Sequence, residues 1–458
     1  MEKIQAKTAR EWAEQQFGSC QLGDWRRTER AVAIGAAMRA APEQTIPQQM
    51  KSPKETKAAY RFFGDEAYQY EDLIRPHWEQ TRAAASQSGV VLMVQDRTEL
   101  DYTKYEQTIQ GLAPIGDNRG QGILMNSVLS IRPSPREVLG IAYQEPFFRK
   151  HHPRQETRTQ RAKREKESDV WMHAVHAIGP APQGAMWVHV GDSASDIYAF
   201  FSACQQEQCQ FLVRAKEDRR MLDRQGEVDH LLQFARQLLP VDERWLHLPA
   251  RHGELARDTQ VKLAFAPLIL VPNWLNRNAT PIATWVVRVW EERPPEGIEA
   301  VEWVLLTSLP TDTLVQAWER VEWYSCRWLV EEFHQCLKTG CQIEARRLGE
   351  ASNLLRLLGI VAPLAVQLLS LKEEARLHPD LPATQVLPAD LVHLVAQLSN
   401  RSPTELNLQT FWRLVAQQGG YLGRKRDGPP GWKSLWHGWS YIQTLLRGFR
   451  LASRSSPF

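Results

Sequence analysis

The chain has 458 residues, 43% of them hydrophobic and 24% charged, and a formal net charge of +3. These are ordinary values for a globular protein of about two to four domains at roughly 150 residues each. So small a net charge does not mark a nucleic-acid binder, and any electrostatic footprint must come from local clustering.

No apolar run reads as long enough to span a membrane, and the polar start MEKIQAKTAREW does not read as a signal peptide. The six cysteines form no CxxC pair and, with the histidines, no zinc-finger spacing. They read as reduced thiols of a cytoplasmic protein. His173 and His176 lie one turn apart, which by itself is the spacing of a surface or packing pair.

Residues 1–87 read as helical. Asp24 is placed to cap a helix through WRRTERAVAIGAAMRAA, whose first turns carry Arg26, Arg27 and Arg30. Three arginines oppose the helix dipole there, so the face is either solvated or set against phosphate. Ser52-Pro53-Lys54-Glu55 is a capping box that opens a helix with Lys57, Tyr60 and Arg61.

From residue 88 the pattern becomes strand-rich. GVVLMVQD ends in Asp96 and AMWVHVGD ends in Asp192. Each apolar run reads as a buried strand, and an acid at its edge is costly unless it faces a cleft or a metal. ILMNSVLSI and EVLGIAYQE form a candidate antiparallel set with the first strand. The stretch GDNRGQG holds Arg119, and the basic stretch 149–168 is either a loop or part of a DNA channel. AMWVHVGD, the helix SDIYAFFSAC and CQFLVRAK form a candidate βαβ unit that ends at Arg214 and Lys216. VKLAFA, PIATWVVRVWEE and AVEWVLLTS are then β-prone runs within a candidate insertion at about 217–308, and Trp303 stands at the head of the last run.

The segment VEWYSCRWLVEEFHQCLKTG carries Tyr324, Arg327, Glu331 and Lys338 at spacings of three, four and seven. On one α-helix those positions fall within roughly 60° of each other. Such a face presents a carboxylate between two cations and a phenol, which suits a phosphodiester beside a divalent metal. It is also what a solvated helix with an Arg327–Glu331 pair looks like. His334, one turn after Glu331, orients a neighbour or simply packs. A long apolar helix follows from about 350 to 373. The last helix repeats apolar residues at Trp432, Leu435, Trp436, Trp439, Ile442, Leu446 and Phe449. That broad stripe packs on its own domain or forms a dimer interface.

Together, these segments resemble the DDE transposases of the insertion-sequence-four group, in the branch of the transposon Tn-five enzyme. The signature Y-x(2)-R-x(3)-E-x(6)-K is met by Tyr324, Arg327, Glu331 and Lys338, within RWLVEEFHQCLKTG. Similar blocks run nearly end to end: LGDWRRTER, AAYRFF, the strand with Asp96, KES, GDSASDIYAF, FLVRAK, WVLLTS and GWKSLWHGW. The resemblance implies an α/β fold: an RNase H-like mixed sheet flanked by helices, with a β-rich insertion and helical N- and C-terminal domains. It divides the chain into 1–87 for binding DNA ends, 88–375 for catalysis and 376–458 for dimerisation. It implies Asp96, Asp192 and Glu331 as a catalytic triad holding two Mg²⁺ ions, which Mn²⁺ can replace. Tyr324, Arg327 and Lys338 then grip phosphate, and Trp303 stacks on a base flipped out of the element's end. Arg26, Arg27, Arg30, Arg61, Arg119, Arg214 and Lys216 are the further DNA contacts expected. The implied partners are double-stranded DNA and a second copy of the chain, with no membrane. The expected place is the bacterial cytoplasm, at the nucleoid. The expected function is cut-and-paste transposition; the alternatives are an RNase H-like nuclease without strand transfer and a non-catalytic DNA-binding inhibitor.

Overall fold

The computed structural model describes residues 8–87, 89–150, 157, 164, 166–248, 257–272, 279–424, 427 and 430–454. Most of the basic stretch 149–168 and part of GRKRDG (423–428) therefore lie outside the described residues.

The N-terminal region is helical, as its capping residues predict. Helices α1 (Ala9–Phe17), α2 (Trp25–Ala40), α3 (Ile46–Met50), α4 (Pro53–Phe63) and α5 (Tyr70–Ser86) follow one another. Asp24 accepts the Arg26 N–H at 2.9 Å and starts α2. Ser52 accepts the Glu55 N–H at 3.2 Å and starts α4.

The sheet begins with β1 (Val90–Asp101), β2 (Ala113–Ile115), β3 (Gly120–Arg132) and β4 (Glu137–Phe147). Helix α6 (Val170–Ile178) leads to β5 (Met186–Gly191), α7 (Tyr198–Gln206) and β6 (Gln210–Arg214). The sequence expectation of a helix over SDIYAFFSAC is corrected, because α7 starts only at Tyr198, after a 3-10 turn at Ser193–Ser195. Strands β4, β3 and β1 run antiparallel, and β1, β5 and β6 run parallel, in the spatial order β4-β3-β1-β5-β6. That is the mixed RNase H-like sheet.

The β-prone stretch adds β7 (Arg220–Leu222), β8 (Val228–His230), α8 (Leu231–Gln237), β9 (Asp242–Leu248), β10 (Arg257–Leu270), β11 (Ile282–Glu291) and β12 (Glu302–Thr307). It does not stand apart. β12 pairs antiparallel with β6, so the sheet continues through β11 and β10.

Both faces of the sheet are covered, which is why its central strands read as continuous apolar runs. Leu92, Val94, Val188, Val190, Leu212 and Leu305 share one core with the N-terminal and C-terminal helices. Phe211, Val213, Val304 and Leu306 face a second core with Trp171, Phe200 and Phe201.

Helices α9 (Leu314–Ser325), α10 (Trp328–Gln335) and α11 (Ala351–Leu377) follow. By length and composition α11 is apolar enough to cross a membrane, which corrects the reading that no run is. Yet 78% of its most apolar stretch is buried inside the protein, against α2, α4, α5 and β4. Its buried Arg356 donates to the carbonyls of Tyr68 at 2.9 Å and Phe63 at 3.2 Å, satisfying the chain where α4 ends.

The C-terminal region holds α12 (Ala383–Val386), α13 (Ala389–Leu398), α14 (Leu408–Gln418) and α15 (Trp432–Arg454). Leu435, Trp436, Trp439, Ile442 and Leu446 are buried within the chain's own core. These five stripe residues are covered intramolecularly, the blander of the two sequence readings, whereas Phe449 at the end of the stripe is exposed. α14 and α15 approach closely at two glycines: a Cβ on Gly438 would lie 1.7 Å from the Val415 carbonyl oxygen, and one on Gly419 1.9 Å from that of Ser434.

Candidate active site

Strand register brings the two aspartates together. The parallel pairing of β1 and β5 ends at Val94↔Val190. Asp96 and Asp192 each stand two residues further along, so side-chain alternation puts both on the face of Val94 and Val190. Asp96 is not at the end of its strand, as the apolar run suggested. β1 continues to Asp101 against β3, with Asp96 opposite Ser127. What ends near Asp96 is the parallel partner, so the carboxylate lies where β1 and β5 part.

β5 itself does stop, one residue before Asp192. The Asp192 carboxylate accepts the Ala194 N–H at 2.8 Å and its carbonyl accepts the Ser195 hydroxyl at 2.7 Å, closing a tight turn. Gly191 permits that turn, since a Cβ there would lie 2.2 Å from the Ser195 Oγ. Arg214 shares the Asp192 face at the end of β6 and reaches the Ser193 hydroxyl at 3.5 Å.

The four-residue signature does not ride on one helix. α9 ends at Ser325, the chain turns at Cys326 and Arg327, and α10 begins at Trp328. Cys336–Gly340 then forms a π-helical turn that carries Lys338. The spacing expectation of a single continuous face is corrected accordingly. Arg327 is buried at the start of α10, not laid along a solvated surface. Tyr324 is also buried, with Trp303 edge-on to its ring at 5.3 Å between centroids. Trp303 itself is 9% exposed.

The Arg327 guanidinium sits among the carboxylates. It lies 2.6 Å from a Glu331 oxygen and 3.5 Å from an Asp96 oxygen, and its plane rests 4.6 Å from the Trp328 ring centre. Burial pushes the Asp96 carboxyl up to about 7; Arg327 opposes the rise while Asp192 and Glu331 add to it. Burial works against the Arg327 charge, but Tyr324, Glu331 and Asp96 together push its pKa up. Burial also raises the Tyr324 phenol.

Three carboxylates against one guanidinium leave excess negative charge at a partly desolvated strand end. Carboxylate oxygens are the donors a hard divalent cation takes. The residues therefore fit such an ion by chemistry and charge. Among the described residues, however, no three His, Cys, Asp or Glu side chains are close enough to hold one as they stand.

Lys338 is 3.6 Å from Glu344, whose carboxylate also accepts the Asp101 N–H at 2.9 Å. His334 is buried, and its Nε2 has no hydrogen-bond partner among the described residues. Beyond β6, Lys216 is exposed. On the N-terminal helices Arg26, Arg30 and Arg61 are exposed, whereas Arg27 is tied to Asp65 at 2.8 Å and to the Leu22 carbonyl at 3.1 Å. Arg119 is 90% exposed beside Asp117. These residues lie on elements separate from the carboxylate cluster. His173 and His176 pair with Glu145 and Glu207.

Sequence reading missed several supports. Glu167 holds Arg97 at 2.7 Å and Arg149 at 2.8 Å beside the site. Buried Asp196 accepts the N–H groups of Lys216 at 2.7 Å and Glu217 at 2.9 Å and pairs with Arg219, fixing the loop after β6. The second acid in GDSASD was the available signal for Asp196; Glu167 had none beyond KES.

Three family models match segments of this chain. They are the transposase DNA-binding domain over residues 9–68, the transposase DDE domain over 145–362 and the transposase Tn5 dimerisation domain over 364–457. The chain belongs to the Tn5-type DDE transposases. It is a DNA transposase with a DNA-binding region, a catalytic DDE domain of a divalent-metal-dependent class, and a region for dimer formation. A solved structure of piggyBac transposase, in a synaptic complex with hairpin DNA, is similar over 96% of this transposase and 82% of that chain. Its identity is 8% and its TM-score 0.36, too low to bear on the transposase described here.

Proposed function

We propose that this chain is a cut-and-paste transposase. It binds the inverted ends of its own mobile element, excises the element through a DNA hairpin, and joins the freed 3′-OH ends to target DNA. The observation that carries the reading is the meeting of Asp96 and Asp192, two residues beyond the last parallel pair, with Glu331 linked to Asp96 through Arg327.

Asp96, Asp192 and Glu331 would hold two Mg²⁺ ions, which Mn²⁺ could replace. When bound there, the ions stabilise the attacking and leaving oxygens of an in-line displacement at phosphorus. The other groups position DNA. Tyr324, Arg327 and Lys338 grip phosphates next to the scissile bond, and Arg214 and Lys216 extend the cationic rim. The attacking oxygens come from water and from the DNA 3′-OH, so no protein nucleophile takes part. Trp303 stacks on a base extruded when the hairpin bends; Tyr324 must turn aside to uncover its ring.

Residues 1–87 bind the ends through Arg26, Arg30 and Arg61, and residues 376–458 pair two copies around two ends. A DNA substrate of this kind places the protein at the bacterial nucleoid. The test is a pre-cut duplex carrying the element's terminal repeat, mixed with plasmid and Mg²⁺. Joined products are expected. Cutting of an intact end without joining indicates a nuclease, and a gel shift without either indicates a non-catalytic binder; both outcomes overturn the reading.

A further inference from the structure

Arg327 occupies the place in the carboxylate cluster where positive charge is most needed. Its two terminal nitrogens go to Glu331 at 2.6 Å and toward Asp96 at 3.5 Å. The side chain is only 7% exposed, and Trp328 holds the guanidinium plane from one side. Its Nε has no hydrogen-bond partner among the described residues. The grip on the site is therefore made by the fork alone, which is the part that also suits a phosphate.

The same fork keeps the acids apart as ligands. Glu331 is turned to the arginine, and no three acidic groups among the described residues converge on one point. A cation entering while Arg327 stays would meet a fixed positive charge between its own ligands.

We infer that Arg327 is an internal placeholder for the divalent cation, which gives up Glu331 and Asp96 only when a DNA phosphate takes its guanidinium. The inference rests on the reading of Asp96, Asp192 and Glu331 as the metal set, and deepens it by making DNA binding and metal binding cooperative. DNA that draws Arg327 away raises affinity for the cation, and by linkage the cation raises affinity for DNA by the same factor. The order of loading protects the free protein from holding an armed site without its substrate.

Mn²⁺ binding, read by the loss of the free-ion electron paramagnetic resonance signal, tests this on the full chain without catalysis. The measurements are made at about pH 8, to limit competition from protons. Wild type should bind Mn²⁺ weakly alone and at least about tenfold more tightly with a duplex carrying the terminal repeat. Arg327→Met removes the cation but keeps a long side chain, and should bind about tenfold more tightly than wild type without DNA. DNA should then add little. Arg327→Lys retains a charge and should restore weak binding. Thermal melting identifies variants that are folded, and if Arg327→Met is not, Arg327→Gln replaces it.

Equal or weaker Mn²⁺ binding by the folded neutral variant overturns the placeholder role, provided Asp192→Asn abolishes binding. If Asp192→Asn leaves Mn²⁺ binding intact in every arm, the metal-set reading fails and the inference falls with it.

Discussion

Asp96 within β1 and Asp192 just past the end of β5 each stand two residues beyond the Val94–Val190 pair of these parallel strands. Equal distance along the strands and equal side-chain parity put both carboxylates on one face at one sheet end. Glu331 comes from a helix packed against β1 and is linked to Asp96 through Arg327, although it lies 235 positions later in the chain (96 to 331).

Replacing Asp192 with Ala should remove strand cleavage in Mg²⁺ and in Mn²⁺ while end-DNA binding stays near wild type. Loss of several kcal/mol of charge stabilisation corresponds to a rate fall of roughly 10³-fold. A cleavage time course beside a gel shift checks this, and cutting near the wild-type rate takes Asp192 out of the triad.

Arg27 and Arg30 should behave differently although they are three residues apart. Arg30→Ala should weaken end binding and lower the salt slope by about one, the signature of one lost phosphate contact. Arg27→Ala breaks a half-exposed pair with Asp65 and should cost at most about 1 kcal/mol of stability. Gel shifts over a salt series, with melting curves, separate the two effects.

Gly438→Ala should destabilise the chain, although alanine is the better helix former by about 1 kcal/mol. The added methyl would fall 1.7 Å from the Val415 carbonyl oxygen, so α14 and α15 must part. Overpacking of this kind costs about 1–3 kcal/mol. Calorimetry of the variant reads the sign directly; an unchanged or raised melting temperature contradicts the close crossing.

Acid should destabilise the fold below about pH 6.5. Burial pulls His77 down to about 4, and His189 and His334 down to about 3. His77 is held neutral by its bonds, since Nε2 accepts the Ile141 N–H while Nδ1 meets the Gln16 oxygen. Unfolded, each histidine takes up a proton near its ordinary value, so stability is complete above about 6.5 and falls as pH drops toward 4. At pH 5 each contributes a loss of about 2 kcal/mol. Urea unfolding at several pH values measures the slope, which protonation of Asp96 in the fold partly offsets, and His334→Leu should reduce it.

Trp303→Ala should lower stability by about 3–5 kcal/mol, because the indole is nearly buried against Tyr324. If Trp303 also holds an extruded base, hairpin formation should slow by a further 5- to 150-fold or so relative to the first nick. DNA labelled to resolve nicks from hairpins distinguishes the two. Equal slowing of both steps leaves Trp303 a packing residue.

The apolar runs before Asp96 and Asp192, the caps at Asp24 and Ser52, and the spacing of Tyr324, Arg327, Glu331 and Lys338 were all legible in the sequence. Local rules govern them: strand alternation, first-turn hydrogen bonds and helical periodicity act over a few residues. Those rules located strands, caps and candidate acids; the mixed sheet, and Asp96, Asp192 and Glu331 as one set, were what the resemblance to the DDE transposases implied. Local rules were not enough for the path of the chain through the site. Periodicity predicts one helix over 321–340, yet packing splits it at Cys326–Arg327 and winds the end into a π turn. The Arg327–Glu331 pair is local, but only tertiary structure decided that Arg327 is buried beside Asp96, because that carboxylate comes from a strand far away in sequence. It likewise decided that α11 is a core helix and that most of the stripe on α15, from Leu435 to Leu446, is covered by α14 and its neighbours. An apolar face records that it must be covered, and the shape of the surrounding fold determines by what.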